Sequence, residues 1–303
     1  MLMKAIESYL SIRRAAGFDL EVPEYLLRNF ARYAGQQGEM HVSAQTPIQW
    51  AAQAQSVGQR RNRLNTVIRF AHHIKLEDQR HEIPPQGLFG PKPPRRIPHI
   101  YTTSDIRRLI QAAYQLGPAN SLRPHTYATL FSLLSATGIR ISEALSLCLD
   151  DIGKDGLVIR QTKFKKSRLV PLHATSIAGL KRYLNFSTRM AIEDDHIFVS
   201  LQGRPLSYRY VNEVFTQLIE KIGYGSSGHR PRIHDLRHTF AVRVLEYCRP
   251  KNRGDIDRNM LALSTYLGHA NVADTYWYPE ATPQLMMDIA QTCETFFTGR
   301  NKS

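Results

Sequence analysis

Apolar residues recur at helical spacing through most of the first 76 positions, with polar residues between them. The pattern predicts four helices: an opening segment that ends at Ala16, then residues 23–35, 47–55 and 59–76. In the last of these, apolar side chains repeat every three or four residues, at Leu64, Val67, Ile68, Ala71 and Ile74. One face of this helix is therefore expected to pack against the others.

Three arginines, Arg60, Arg61 and Arg63, crowd the first turns of that last helix. A solvated charged face would explain them. Three cations within four residues of a strongly basic chain nevertheless favour contact with phosphate groups.

Proline and glycine then interrupt the helical pattern. Residues 84–98 contain six prolines and two glycines, through which neither a helix nor a central strand can continue. We predict a helical domain over residues 1–83, a stiff linker over 84–99 and a second domain over 100–303. Lys92, Arg95 and Arg96 in the linker are candidates to follow a phosphate backbone, although solubility alone would also explain them.

The predicted second domain contains both helical and strand patterns of apolar residues. Helices are expected over residues 102–113, capped by Thr103 or Ser104, and over 125–137, closed by Gly138. Strand patterns follow at 156–163, 167–172 and 196–200, and the remainder is helical from residue 207. The predicted fold is mainly α, with a helical N-terminal domain and a mixed α/β C-terminal domain that contains a small antiparallel sheet.

The amino-acid composition indicates which class of binding partner to expect. The 303 residues carry 40 basic and 26 acidic side chains, a net charge of +14, and residues 1–99 alone hold 14 basic against 8 acidic. Both halves are therefore positive, as expected of a protein that binds a polyanion. No apolar run reaches the roughly 20 residues that span a bilayer, and no signal-peptide core follows the N-terminus. A cytoplasmic protein that binds DNA, without a membrane partner, is the expectation.

Four segments of the second domain carry reactive side chains at ordered positions. They are ATGIRISEALSL with Arg140 and Glu143, TKFKKSRLVPL with Lys163, RIHDLRHTFA with His234 and Arg237, and LGHANVADTYWY with His269 and Tyr278. Their order and spacing resemble the tyrosine recombinases, the family of phage integrases and Xer-type recombinases. In that family the tyrosine typically follows the later histidine by nine residues, as Tyr278 follows His269.

The resemblance implies a helical core-binding domain of SAM-like type followed by the catalytic domain. It also implies site-specific recombination of double-stranded DNA through a 3′-phosphotyrosyl link and a Holliday junction, by a homotetramer that needs no cofactor. The polar insert at residues 248–259 and the TYWY segment look more like transposon integrases than Xer proteins. The mobile element, its target sequence and any accessory protein stay undetermined.

The chemistry independently requires these residue types. Attack on a phosphodiester builds charge on its nonbridging oxygens, and the planar, permanently charged fork of arginine matches them. Arg140 and Arg237 are therefore the expected phosphate ligands, although Arg140 alone could be a surface arginine after a helix end. Glu143, one helical turn from Arg140, is expected to orient its guanidinium, and an ordinary surface ion pair is the alternative.

Proton transfer needs further groups. The leaving DNA oxygen must be protonated, and the resemblance assigns this to Lys163, with Lys165 and Lys166 nearby as DNA contacts or as the true acid. His234 and His269 are expected to handle protons and to bind phosphate.

Two tyrosines compete for the nucleophile. Tyr276 and Tyr278 would lie about 200° apart on a helix, so they cannot serve interchangeably, and the family spacing selects Tyr278. Tyrosine suits a reaction in which the phosphoryl bond is stored for the next strand.

Other functions fit less well. A zinc site built on His234, His238 and His269 lacks the HExxH glutamate and a nearby cysteine, so no metal is expected. A type IB topoisomerase uses similar residues, and a DNA-binding regulator without catalysis would need none of them. The amphipathic segment at 282–297 is expected either to cover its own core or to dock onto a neighbouring subunit.

Overall fold

The computed structural model describes residues 2–91, 96–160, 167–224, 230–248 and 253–268. Contacts along the chain divide it into two compact units, Met1–Arg95 and Arg96–Ser303. The first unit is all helical within the part that is described, and the second combines helices with one small sheet. This agrees with the predicted fold class.

Four helices form the first unit: α1 Leu2–Ala15, α2 Glu21–Gln36, α3 Thr46–Ala52 and α4 Val57–Ile74. α4 begins earlier than the apolar pattern indicates because Ser56 and Gln59 form a reciprocal capping box. The five apolar residues of α4 that were predicted to pack against the other helices are all buried. Trp50 of α3 is buried against Phe30 of α2, with ring centroids 5.5 Å apart.

The predicted linker begins within this packed unit. Ile83 and Phe89 lie against the cluster formed by Ala51, Leu64 and Ile68, so the chain still contacts α3 and α4 at residue 89. The domain limits at residues 83 and 99 stay predictions.

The second unit contains eight described α-helices and three strands, with a 3-10 helix at Leu149–Asp151 and a π-helical turn at Glu220–Tyr224. The helices are α5 Thr103–Tyr114, α6 Leu122–Thr137, α7 Ile141–Leu145, α8 Ala174–Leu184, α9 Ser187–Met190, α10 Tyr208–Ile219, α11 Ile233–Cys248 and α12 Arg253–Leu267. The strands are β1 Ile152–Gly153, β2 Gly156–Ile159 and β3 Arg168–Pro171. α6 lies at the centre: Leu130 and Phe131 are fully buried, and Phe131 meets Phe215 of α10 edge to face at 5.5 Å.

The sheet is antiparallel in the order β1-β2-β3, with Leu157 opposite Val170. The prediction that residues 196–200 form a strand of this sheet was wrong. That segment forms only single bridges, Cys148 with His196 and Val199 with Pro205, and the third strand is Ile152–Gly153. The short 153–156 turn, with glycine at both ends, lets β1 fold back directly onto β2, whereas Ile197, Phe198 and Val199 belong to the hydrophobic core.

The cap of α5 also differs from the prediction. Thr102, and neither Thr103 nor Ser104, caps the helix: its hydroxyl accepts from the Asp105 backbone N–H at 3.1 Å, and Asp105 accepts from the Thr102 N–H at 2.9 Å. The acidic residue three positions later completes the box, which selects Thr102. Gly138 ends α6 as predicted, in the left-handed conformation with φ of 62°.

Among the described residues, no helix combines the length and apolarity needed to cross a bilayer.

Candidate active site

The junction of α6 and α7 presents Arg140. Gly138 turns the chain, and Arg140 then caps α7 in an extended conformation. A Cβ at Gly138 would lie 2.4 Å from Cδ1 of Phe240, so glycine is required both by the positive φ and by the close approach of that ring. The turn places the Arg140 side chain, 31% exposed, at the edge of the unit.

Glu143 receives four hydrogen bonds from two arginines. Arg140 donates its backbone N–H and Nη1, each at 2.8 Å, and Arg168 of β3 donates Nη1 and Nη2 at 3.0 and 2.8 Å. Burial alone would raise the pKa of this carboxyl, but the hydrogen bonds and charges of Arg168 and Arg140 lower it to about 2. Glu143 is therefore a carboxylate at neutral pH.

Arg237 lies on α11 and is almost fully buried. Its guanidinium donates to the carbonyl oxygen of Gly138 at 2.9 Å and to that of Leu267 at 2.8 Å. It thus joins the ends of α6 and α12. The HxxR motif places His234 one turn earlier on the same helix.

Three arginines meet at the C-terminal end of α12. Arg168 Nε donates to the Tyr266 carbonyl at 2.8 Å, Arg237 to that of Leu267, and Arg140 Nη2 to that of Gly268 at 3.1 Å. We call Arg140, Arg168 and Arg237 the arginine cluster. Helix C-termini carry partial negative charge, which offsets part of the repulsion between the guanidinium groups. Glu143 is the carboxylate that Arg140 and Arg168 share.

The end of α12 is fixed by further contacts. The Tyr266 hydroxyl donates to the carbonyl oxygen of Thr137 at 3.0 Å, and its ring stacks on Phe240 at 5.5 Å. Gly268 follows with φ of 66°, and a Cβ there would lie 2.9 Å from Nη1 of Arg168. The chain therefore approaches the arginine cluster just before His269.

His234 lies at the surface beside this cluster. Partial desolvation and the positive charge of Arg237 lower its pKa to about 4, so the imidazole is neutral at physiological pH. Its ring is perpendicular to that of His238, with centroids 4.7 Å apart. A neutral imidazole can donate through one nitrogen and accept through the other.

The structure therefore brings together Arg140, Glu143, His234 and Arg237, four of the residues predicted from sequence. The predicted Lys163, Lys165, Lys166, His269 and Tyr278 lie outside the described residues, as does the competing Tyr276.

Two of the three arginines predicted to contact DNA in the first unit, Arg60 and Arg63, form hydrogen bonds within that unit. Arg60 Nε donates to the Ala54 carbonyl at 2.8 Å, and Arg63 donates to the Trp50 carbonyl at 3.2 Å while its guanidinium lies over the Trp50 ring. Nε of Arg61 is shielded from solvent and has no hydrogen-bond partner within the described part of the chain.

Of the predicted linker cations, Arg96 donates to the carbonyl oxygen of Arg230, and Lys92 and Arg95 lie outside the described residues.

Arg168 is a site residue that the sequence reasoning missed. Arg168 is two residues from Val170, which is fully buried, so the two side chains lie on the same inward face of β3. A charged residue on the inward face of a half-buried strand needs an anionic partner, and this alternation is the signal that would have revealed it.

No group of three or more His, Cys, Asp or Glu suited to a metal ion occurs among the described residues.

The chain is similar to known proteins over most of its length. Residues 100–284 match the model of the phage integrase family. A protein of Sinorhizobium fredii (strain NBRC 101917 / NGR234) named as integrase/recombinase y4rB is 37% identical over 304 residues, which covers 96% of each chain.

Solved structures share the fold. A Tn1549 transposon integrase in complex with transposon right end DNA superposes with a TM-score of 0.61 at 16% identity, over 90% of this chain and 94% of that one. A lambda integrase tetramer bound to a Holliday junction gives a TM-score of 0.62 at 16% identity, over 91% of this chain and 76% of that one.

Proposed function

Because this chain belongs to the phage integrase family, and is therefore a tyrosine-type site-specific recombinase, we propose that it cuts and rejoins DNA through a covalent phosphotyrosyl bond on Tyr278. The observation that carries the proposal is that Arg140 and Arg237, beside His234, both donate hydrogen bonds to the end of α12. The acceptor of Arg140, Gly268, precedes Tyr278 by ten residues.

Arg140 and Arg237 are proposed to hold the scissile phosphate. Arg140 is partly exposed, whereas Arg237 is held by hydrogen bonds to the carbonyl oxygens of Gly138 and Leu267. One accessible and one fixed guanidinium therefore lie at the end of α12. Preorganised cations stabilise the charge that develops on the nonbridging oxygens without having to reorganise during the reaction. His234 adds a neutral donor, and its pKa rises when the phosphate anion binds.

In the proposed cleavage step, the Tyr278 hydroxyl passes its proton to a histidine of the site, His234 or His269, as its oxygen attacks the phosphorus. A new P–O bond forms, the bond to the DNA 5′ oxygen breaks, and that oxygen receives a proton. Lys163 is the proposed acid, with Lys165 and Lys166 as alternatives in the same segment. The phosphate ester stays on the tyrosine, so a 5′ hydroxyl from a second duplex can reverse the step. One ester replaces another, and the exchange therefore needs no metal or nucleotide.

Exchange of strands between two duplexes requires at least two pairs of active sites. The lambda integrase neighbour is a tetramer bound to a Holliday junction. We propose the same assembly and intermediate for this chain, and transposition or integration of a mobile element as its setting, since the Tn1549 neighbour is a transposon integrase.

A nicked duplex that carries the end of the encoding element tests the chemistry. The nick releases a short fragment after cleavage, which traps the covalent adduct. We expect wild type and Tyr276→Phe to form an adduct that is stable in detergent, and Tyr278→Phe to form none. An adduct with Tyr278→Phe would overturn the assignment of the nucleophile.

A second assay tests the reaction class. Two element ends on separate duplexes should give Holliday junctions and recombinant products. If supercoiled plasmid is relaxed without recombinants, the protein is a topoisomerase; binding without any adduct would identify a DNA-binding regulator.

A further inference from the structure

Arg168 is committed to protein contacts through all three nitrogens of its guanidinium. Nη1 and Nη2 form a bidentate pair with Glu143, and Nε donates to the Tyr266 carbonyl. The side chain is 13% exposed. Three of its five N–H groups are thus used within the protein, and the side chain is less exposed than that of Arg140, which is 31% exposed.

The charge of Arg168 matters to Arg140. Glu143 contacts both guanidinium groups at 2.8–3.0 Å, and a carboxylate beside Arg140 alone would cancel its positive charge. With Arg168 on its other side, the group of three keeps a net charge of about +1. Glu143 can then orient Arg140 through two hydrogen bonds without removing its attraction for phosphate.

Arg168 also joins three elements. It belongs to β3, it contacts Glu143 of α7, and it contacts the last turn of α12. Along the chain, Lys163 precedes it by five residues, and His269 follows Tyr266 by three. β3 and the end of α12, which lead along the chain to these two residues, are thus joined to Arg140 through one side chain.

We propose that Arg168 is a positioning residue for DNA cleavage, which holds Glu143 against Arg140 and fixes the end of α12 beside the phosphate site. This inference rests on the proposed function. It assigns to Arg168 an effect on the rate of cleavage, exerted through Arg140, and little effect on binding of duplex DNA.

The test compares Arg168→Met with wild type on the nicked duplex under single-turnover conditions. We expect adduct formation to slow by up to about 100-fold, the cost of a small displacement of catalytic groups. The Kd for the intact duplex should change less than about threefold, since Arg168 faces the protein. Arg108→Met is the matched control, because Arg108 also pairs with a carboxylate, Asp105, and with a backbone carbonyl, that of Ile222, elsewhere in the same unit.

Two readouts separate positioning from general damage. If Arg168 acts through Arg140, adding Arg168→Met to Arg140→Ala should slow cleavage by no more than about twofold beyond Arg140→Ala alone. In addition, cleavage at a neutral methylphosphonate in the scissile position requires less stabilisation by positive charge. The difference in cleavage rate between wild type and Arg168→Met should therefore be smaller on that substrate than on the phosphodiester. Independent, additive losses in both readouts would overturn the proposal.

A second variant guards against misfolding. Arg168→Met leaves the buried Glu143 carboxylate paired with Arg140 alone, whereas Arg168→Met with Glu143→Gln also removes the charge of that carboxylate. We expect the double variant to recover thermal stability but not the cleavage rate. Recovery of both would mean that Arg168 only stabilises the fold. If wild type forms no adduct, the proposed function fails; if wild type reacts and Arg168→Met reacts equally fast, only this inference fails.

Discussion

Arg237 donates a hydrogen bond to the carbonyl oxygen of Gly138 at 2.9 Å, although the two residues are 99 positions apart. The bond joins the second turn of α11 to the turn that presents Arg140. The geometry of that turn therefore controls both proposed phosphate ligands at once, and substitutions within it should affect cleavage more than their distance from DNA would indicate.

Gly138→Ala should be destabilising for two reasons. The left-handed conformation costs roughly 1–2 kcal/mol for a residue with a Cβ, and the added methyl group would lie 2.4 Å from the Phe240 ring. We expect the free energy of unfolding in urea to fall by about 2–4 kcal/mol. Gly203→Ala is the control: it has φ of 71°, but its nearest neighbour would be Ile192 at 3.4 Å. Equal losses in the two variants would show that the Phe240 contact is relaxed without cost.

Arg237→Lys should impair cleavage although it keeps the positive charge. An ammonium group cannot reach the Gly138 and Leu267 carbonyls as a fork and also face phosphate, so about 100-fold slower adduct formation is expected. Arg243→Lys on the same helix, which contacts the Tyr101 carbonyl at 2.9 Å, should react within about twofold of wild type. An active Arg237→Lys enzyme would argue against a bidentate role.

The titration of His234 gives a pH prediction. Its pKa in the folded state, about 4, lies below the ordinary value of 6.5, so the unfolded chain binds more protons between these values. The contribution of this group to stability should be constant above pH 7 and fall as the pH decreases from about 6.5 to 4. Imidazole NMR should locate the pKa, and thermal unfolding of wild type should be more sensitive to acid than that of His234→Gln. A measured pKa near 6.5 in the free protein would contradict this prediction.

Binding of DNA is also expected to raise that pKa. A phosphate anion beside the imidazole favours its charged form, which opposes the effect of Arg237. The same NMR resonance, followed with a duplex that carries the element end, should shift its midpoint upward, while an equal amount of scrambled duplex should shift it less.

The arginines of α4 should separate into two classes. Arg63→Ala removes a hydrogen bond to the Trp50 carbonyl and a contact with the Trp50 ring, so it should lower the thermal stability of the first unit. Arg61→Ala should leave stability nearly unchanged but weaken DNA binding and reduce the slope of log K against log salt by about 1. Arg80→Ala, which removes an exposed ion pair with Asp78, is the control for both. An unchanged salt slope for Arg61→Ala would exclude it as a phosphate contact.

Wild-type binding should itself depend steeply on salt. If at least six phosphates are contacted, affinity falls roughly a thousandfold between 50 and 200 mM salt. A shallow dependence would contradict the interpretation of the net charge as a DNA-binding feature.

The sequence by itself determined the helical character of both units, the end of α6 at Gly138 and the family to which the chain belongs. These follow from local signals: apolar periodicity, a residue free to adopt positive φ, and reactive side chains at fixed spacing. The cap of α5 was misplaced by one or two residues because three hydroxyl residues are adjacent there, and only the partner at Asp105 distinguishes Thr102 from the others.

Only the tertiary structure decided how the arginines are used. Arg140, Arg168 and Arg237 are separated by 28 and 69 residues, and they meet at backbone carbonyls of α12, acceptors that every residue carries and that no motif marks. The same limit applies to Arg60 and Arg63, whose carbonyl partners in and after α3 gave them packing roles that the charge pattern could not reveal. Spacing along a chain identifies which side chains can react, whereas the backbone groups that orient them are set by how helix ends pack.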